Sequence, residues 1–96
     1  MNIIISEKAQ EWFEREMDVE KNDFIRFYVR YGGSSPLHDS FSLGVNKEDP
    51  IEVAVKETIK NVTYFVEAND IWFFDGHDLH VLYDDTLDEP KYEYKK

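Results

Sequence analysis

Phe24-Ile25-Arg26-Phe27-Tyr28-Val29-Arg30-Tyr31 runs into Gly32-Gly33-Ser34-Ser35-Pro36, and the reading of this stretch decides the fold. Ile25, Phe27, Val29 and Tyr31 alternate with Arg26, Tyr28 and Arg30. A period of two marks a strand with one face on a core and the other in water. The double glycine and the hydroxyls that follow predict a loop at Gly32 to Pro36, because glycine lets the backbone bend sharply and approach a ligand closely.

The same period extends outward from this strand. Leu37, Asp39, Phe41, Leu43 and Val45 alternate with His38, Ser40, Ser42 and Gly44, which predicts a second strand, and Asn46 to Pro50 reads as a turn. Ile51, Val53 and Val55 alternate with Glu52, Ala54 and Lys56, and a further strand-like run extends from Ile59 to Glu67. Leu79, Val81 and Tyr83 form another strand, Asp84 to Glu89 a solvated acidic loop, and Tyr92 and Tyr94 a last short strand. Ile71-Trp72-Phe73-Phe74 fits either a buried strand or a single helical turn, with Asp75-Gly76 as a turn after it. Upstream, Ser6 is placed to cap a helix over residues 6 to 18, whose apolar stripe is Ala9, Trp12, Phe13 and Met17. Strands therefore dominate beside one clear helix. The fold class is mostly β or α+β, and no regular alternation of strands with long helices points to a parallel doubly wound sheet.

Composition narrows the function. The 96 residues, 1–96, make a single domain, since chains divide only beyond about 250 residues. With 21 acids against 11 bases the formal charge is −10, so the chain repels polyanions. Neither nucleic acid nor an anionic membrane is an expected partner; the acidic surface reads first as a means of solubility, with steering of a basic partner as the alternative. No apolar run approaches ~20 residues and no basic-flanked leader is visible, so a cytoplasmic protein is expected. The absence of cysteine excludes disulfides, thiolate nucleophiles and thiolate metal sites.

Three segments in order resemble the HesB-like family, which includes the A-type iron-sulfur cluster carriers. They are Ile3-Ile4-Ile5-Ser6-Glu7-Lys8-Ala9, the strand Phe24 to Arg30 with Gly32-Gly33-Ser34-Ser35, and Phe74-Asp75-Gly76-His77-Asp78-Leu79. The resemblance spans nearly the whole chain and implies a small twisted β-sandwich with an N-terminal helix packed on it. It also implies what is missing. The carriers have a Gly-Cys-Ser-Gly turn after the first strand and a Cys-Gly-Cys motif near the carboxyl end; here Ser34 stands at the first cysteine position, Pro36 replaces the following glycine, and the chain stops at Lys96 without the second motif. A serine hydroxyl stays protonated at neutral pH and binds iron weakly, so no cofactor and no carried cluster are expected.

His38, His77 and His80, with Asp75 and Asp78 nearby in sequence, are the candidate ligands for a metal, and nitrogen and oxygen donors would favour zinc, nickel or ferrous iron. Spacing weakens the set, because residues three apart on a strand project from opposite faces. The glycine loop beside Arg30 reads first as a plain structural turn, since glycine and serine dominate turns, with an anion on exposed N–H groups as the alternative. Ser34 and Ser35 lack any frame that would place them beside a base, and no Walker or Rossmann glycine pattern occurs, so the chain reads as non-catalytic. The leading expectation is a binding or adaptor protein whose protein partner is unknown, with metal or iron handling through histidines and carboxylates as the alternative. Aromatic residues Trp12, Phe13, Tyr28, Trp72, Phe73 and Phe74 exceed what a small core easily hides, and a leftover patch would mark an interface. Open sheet edges make a homodimer plausible.

Overall fold

Helix α1 spans Glu7–Glu16 in the computed structural model, which describes residues Met1–Lys96. It starts there because Ser6 keeps an extended backbone while its Oγ accepts the Ala9 N–H at 3.1 Å. The Met17 N–H closes the helix on Phe13 O, and Asp18, left-handed at φ 52°, turns the chain away before the predicted end at 18. Ala9 and Phe13 are fully buried, with Trp12 and Met17 at the margin of the core. Gln10, outside the apolar stripe, is buried too. Its Nε2 donates to Ile5 O at 3.1 Å, which is how a polar side chain is accommodated there.

The strands are β1 (Ile3–Ile5), β2 (Phe24–Ser34), β3 (Asp39–Lys47), β4 (Val53–Ile59), β5 (Val62–Glu67), β6 (Asp78–Asp84) and β7 (Glu89–Lys95). They make a three-stranded sheet in the order β1-β6-β7 and a four-stranded sheet in the order β3-β2-β5-β4. Each sheet is mixed. β1 runs parallel to β6, and β2 parallel to β5; the other neighbours are antiparallel. The fold is α+β, as expected from the sequence.

Both sheets feed one apolar cluster. Ile25, Phe27, Leu43, Tyr64 and Val66 enter it from the larger sheet, Ile3, Ile5, Leu79 and Val81 from the smaller, and Ala9 and Phe13 from the helix. Phe13 is the hub. Its ring lies 6.0 Å from Phe27 and 5.8 Å from Tyr64, while Phe27 reaches across to Tyr92 of the other sheet at 6.0 Å. Such tilted and edge-on pairs add to the burial of large rings.

Several boundaries differ from the sequence reading for local reasons, and one open reading, Ile71 to Phe74, resolves to its helical alternative. The strand does not end at Gly32: β2 continues through Ser34 with an irregular register between Tyr31 and Ser34, and the left-handed Gly32 and Gly33 sit inside that bulge. The reversal falls later, where Ser35 N–H donates to His38 O and His38 N–H to Ser35 Oγ. Asn46 and Lys47 belong to β3 rather than to a turn. The Ile59 to Glu67 run contains the end of β4 and a two-residue reversal at Lys60-Asn61, both left-handed as a tight hairpin of this length demands. Ile71 to Phe74 lies in a 3-10 helix, Ala68–Phe74, closed by left-handed Asp75.

One glycine is favoured by close approach. A Cβ on Gly44 would clash with Tyr28 Cζ, because the tyrosine ring of the neighbouring strand lies across it and would have to swing aside.

Burial pushes the Tyr64 and Tyr94 hydroxyls up to about 12 from the ordinary 10.0, Glu14 adding to the effect at Tyr64, and burial raises Tyr92 further still. The folded state therefore holds these protons more tightly than the unfolded chain. Their contribution is fully present below pH 10 and is lost as pH rises from 10 toward 12. Urea titrations across that range will show the unfolding midpoint falling steeply, and Tyr64→Phe will flatten the fall; a midpoint indifferent to pH there contradicts this burial.

Candidate functional site

Strand β2 has 11 residues, whereas β1 has 3 and β6 and β7 have 7 each. Its inward-pointing series begins under the facing layer and ends beyond it: Ile25 and Phe27 are fully buried, Val29 is half-buried, and Tyr31 is 83% exposed. Tyr31 pairs with Phe41 across β3, the rings 5.7 Å apart, and Phe41 meets Trp72 edge-on at 5.5 Å. Trp72 is 50% exposed. The 3-10 helix explains its position, because it turns Phe73 and Phe74 into the core and leaves the ring before them at the surface.

His38 holds the two halves of this patch together. Its Nε2–H donates to Phe73 O at 2.9 Å, which fixes the proton on that nitrogen, and its ring packs 5.3 Å from Trp72 and 5.1 Å from Phe73. The β2–β3 turn is thereby fastened to the 3-10 helix. The result is a continuous aromatic tier that runs from buried Phe73 through Trp72 and Phe41 to Tyr31 in water. Large rings held by neighbours and half open to solvent lose little entropy on contact with a partner.

The other residues singled out from the sequence are not gathered here. Ser34 is exposed at the end of β2, opposite Asp39. Arg30 is exposed; its Nε donates to Ser42 Oγ at 3.1 Å, and Ser42 in turn donates to Gly32 O at 2.9 Å, so the guanidinium is laid along the strand rather than gathered with the histidines. His77 uses Nδ1–H on Phe74 O at 2.8 Å, while His80 lies mid-strand in β6 between Ile4 and Glu93. No three His, Asp or Glu side chains converge as metal ligands would, so His38, His77 and His80 do not form the candidate cluster. Of the aromatic residues flagged in the sequence only Trp72 emerges on the patch; Tyr31 and Phe41 were hidden in strand periodicity.

A pocket of about 160 Å³ opens elsewhere, lined by Arg26, Ile51, Glu52, Glu67 and Asn69. Two of its three charged side chains, Arg26 and Glu67, are committed to the fold, and the Glu52 carboxylate is exposed. Arg26 spans Glu48 at 2.6 Å and Asp70 at 2.9 Å, and Glu67, almost wholly buried, accepts the N–H groups of Ile51 and Glu52 at 2.7 and 2.6 Å. Only Arg26 Nε is buried without a partner. These contacts stitch the loop before β4 and the 3-10 helix to the sheet.

Comparison with known proteins gives the chain its relatives. It is 46% identical over 95 residues, 99% of this chain and 100% of the relative, to a Bacillus subtilis protein named pyruvate dehydrogenase inhibitor. The chain belongs to that protein's family. Further relatives, named only as uncharacterized proteins, are 34% identical over 96 residues in Staphylococcus epidermidis, covering 97% of this chain and 98% of the relative, and 33% identical over 99 residues in Staphylococcus haemolyticus, covering all of both. No protein-family model and no solved structure matches the chain.

Glu67→Ala strands two N–H groups, those of Ile51 and Glu52, beside the pocket. It will lower unfolding free energy by about 2 kcal/mol in urea titrations. A loss below a few tenths would show that water serves the loop equally well.

Proposed function

We propose that this protein is a non-catalytic regulator that binds pyruvate dehydrogenase and inhibits it, with Tyr31, Phe41 and Trp72 at the centre of the contact. The observation that carries the reading is identity of 46% along the full length of a relative that bears the inhibitor name. At such identity over the whole chain, a shared fold and a shared surface are the economical expectation. Exposed Tyr and Trp rings supply the kind of anchor that dominates protein contacts. The formal charge of −10 adds long-range attraction to a basic surface on the partner.

The HesB-like resemblance fits the same reading as an account of origin. With Ser34 at the end of β2 where the carriers have cysteine, the scaffold offers no thiolate to a cluster, and in this reading the end of β2 serves recognition instead.

Pyruvate dehydrogenase activity, measured with increasing amounts of the purified chain, tests this. Inhibition should saturate, weaken with added salt as screening grows, and require at least about tenfold more protein for Tyr31→Ala or Trp72→Ala, both of which should fold with urea midpoints close to the parent. An inactive parent chain removes the function. Full potency in both variants keeps the function and removes the surface.

A further inference from the structure

Strand β3 pairs with β2 alone, so its other side is an open edge. The hydrogen-bond pattern tells which groups point out. Glu48 N–H donates to Phe24 O at 3.1 Å, in step with the register that pairs Ile25 with Lys47. Antiparallel neighbours alternate between bonded and non-bonded pairs, so Arg26–Asn46, Tyr28–Gly44 and Arg30–Ser42 exchange main-chain bonds, while Phe41, Leu43 and Val45 turn their N–H and C=O groups to solvent. The contact between Thr63 N–H and Asp23 O on the opposite side of β2 agrees with this alternation.

The other sheet edges carry guards that the Phe41 to Val45 stretch of β3 lacks. β7 has Pro90, Lys91 and Lys95; β1 has only 3 residues; β4 has Lys56-Glu57 and an irregular register between Val53 and Val55. Charges, proline, shortness and bulges are the usual means of stopping edge-to-edge pairing. From Ser40 to Asn46, β3 bears no charge at all.

Its sequence is also complementary to itself. About Leu43 as centre, Ser42 falls opposite Gly44, Phe41 opposite Val45, Ser40 opposite Asn46 and Asp39 opposite Lys47. Small meets small, apolar meets apolar, polar meets polar, and acid meets base. We propose that two copies of this chain pair through β3, antiparallel about a two-fold axis at Leu43, with the outward main-chain groups of Phe41, Leu43 and Val45 bonding those of Val45, Leu43 and Phe41 on the second copy. Leu43 bonds its own counterpart, as an isologous contact requires. Ser40, left-handed at φ 71°, ends the flat stretch, so the ladder covers Phe41 to Val45 and the Asp39–Lys47 attraction acts between side chains at its flanks. Tyr28, lying across Gly44, brings an aromatic ring beside the axis on each copy. Phe41 lends its main chain to the ladder, while Tyr31 and Trp72 belong to β2 and the 3-10 helix, off the paired edge, so each copy in the dimer keeps those two rings for a partner.

Sedimentation velocity over a range of concentrations, with amide exchange on the same full-length protein, decides the matter. The parent should approach twice the 11.5 kDa chain mass, with the Phe41, Leu43 and Val45 amides gaining protection as the dimer forms. Asp39→Lys sets like charges together and should weaken the dimer about tenfold; adding Lys47→Asp should restore it. Val45→Pro, which removes an outward donor, should give a monomer. The proposal falls if the parent is monomeric throughout, if a dimer forms while those amides exchange freely, or if the charge swap does nothing. It falls equally if the amides are protected only when pyruvate dehydrogenase is added, since β3 would then take a strand from that partner instead. The charge variants change exposed positions, so the test stands even if Val45→Pro fails to fold.

Discussion

The apolar face of the four-stranded sheet is longer than the layer that covers it, and most of what is distinctive about the molecule follows from that mismatch. Phe13 closes the face over Phe27 and Tyr64, and Phe73 and Phe74 close it at the other end of the core. Beyond Val29 nothing remains to cover β2. Burying Tyr31 would require a longer facing strand, and β1, β6 and β7 are too short to provide one. The inward side chains of that overhang are aromatic, so the fold delivers large rings to the surface without strain in the strand that carries them.

An overhang is useful for recognition only if it holds its shape. Two sets of contacts do this. His38 fastens the β2–β3 turn to the carbonyl of Phe73, setting Trp72 and Phe41 edge to edge. Farther back, Arg26 joins β2 to Glu48 and to Asp70 of the 3-10 helix, so the helix that presents Trp72 is tied to the strand that leads to Tyr31. Ion pairs this partly buried resist screening better than those on the open surface, which is why they suit a positioning role. Most of the other acids are exposed and set the long-range field.

The sequence yielded the strands where periodicity is strong and failed where structure depends on tertiary fit. Ile25 and Phe27 were legible as core, and the Ser6 cap as a helix start. The Gly32-Gly33 pair was misread as a loop because left-handed glycines serve a bulge as well as a turn, and residue type alone does not separate the two. Ile71 to Phe74 had no assignable period, since a short 3-10 helix repeats too few times to show one. Parallel pairing of β1 with β6 joins residues far apart in the chain and leaves no local mark. Tyr31 and Phe41 obey the same alternation as buried residues; only the length of the facing sheet, a property of the folded whole, shows that they emerge. The histidines looked like ligands in sequence, yet His38 and His77 spend a ring nitrogen on main-chain carbonyls.

The central claim is that the aromatic overhang is where a partner binds. Hydroxyl-radical footprinting of the chain, alone and mixed with pyruvate dehydrogenase, addresses it without altering a residue. Tyr31 and Trp72 should lose reactivity in the mixture while exposed Leu87, remote from the patch in sequence, keeps its own. Unchanged reactivity of both rings in a mixture that shows inhibition would contradict the account.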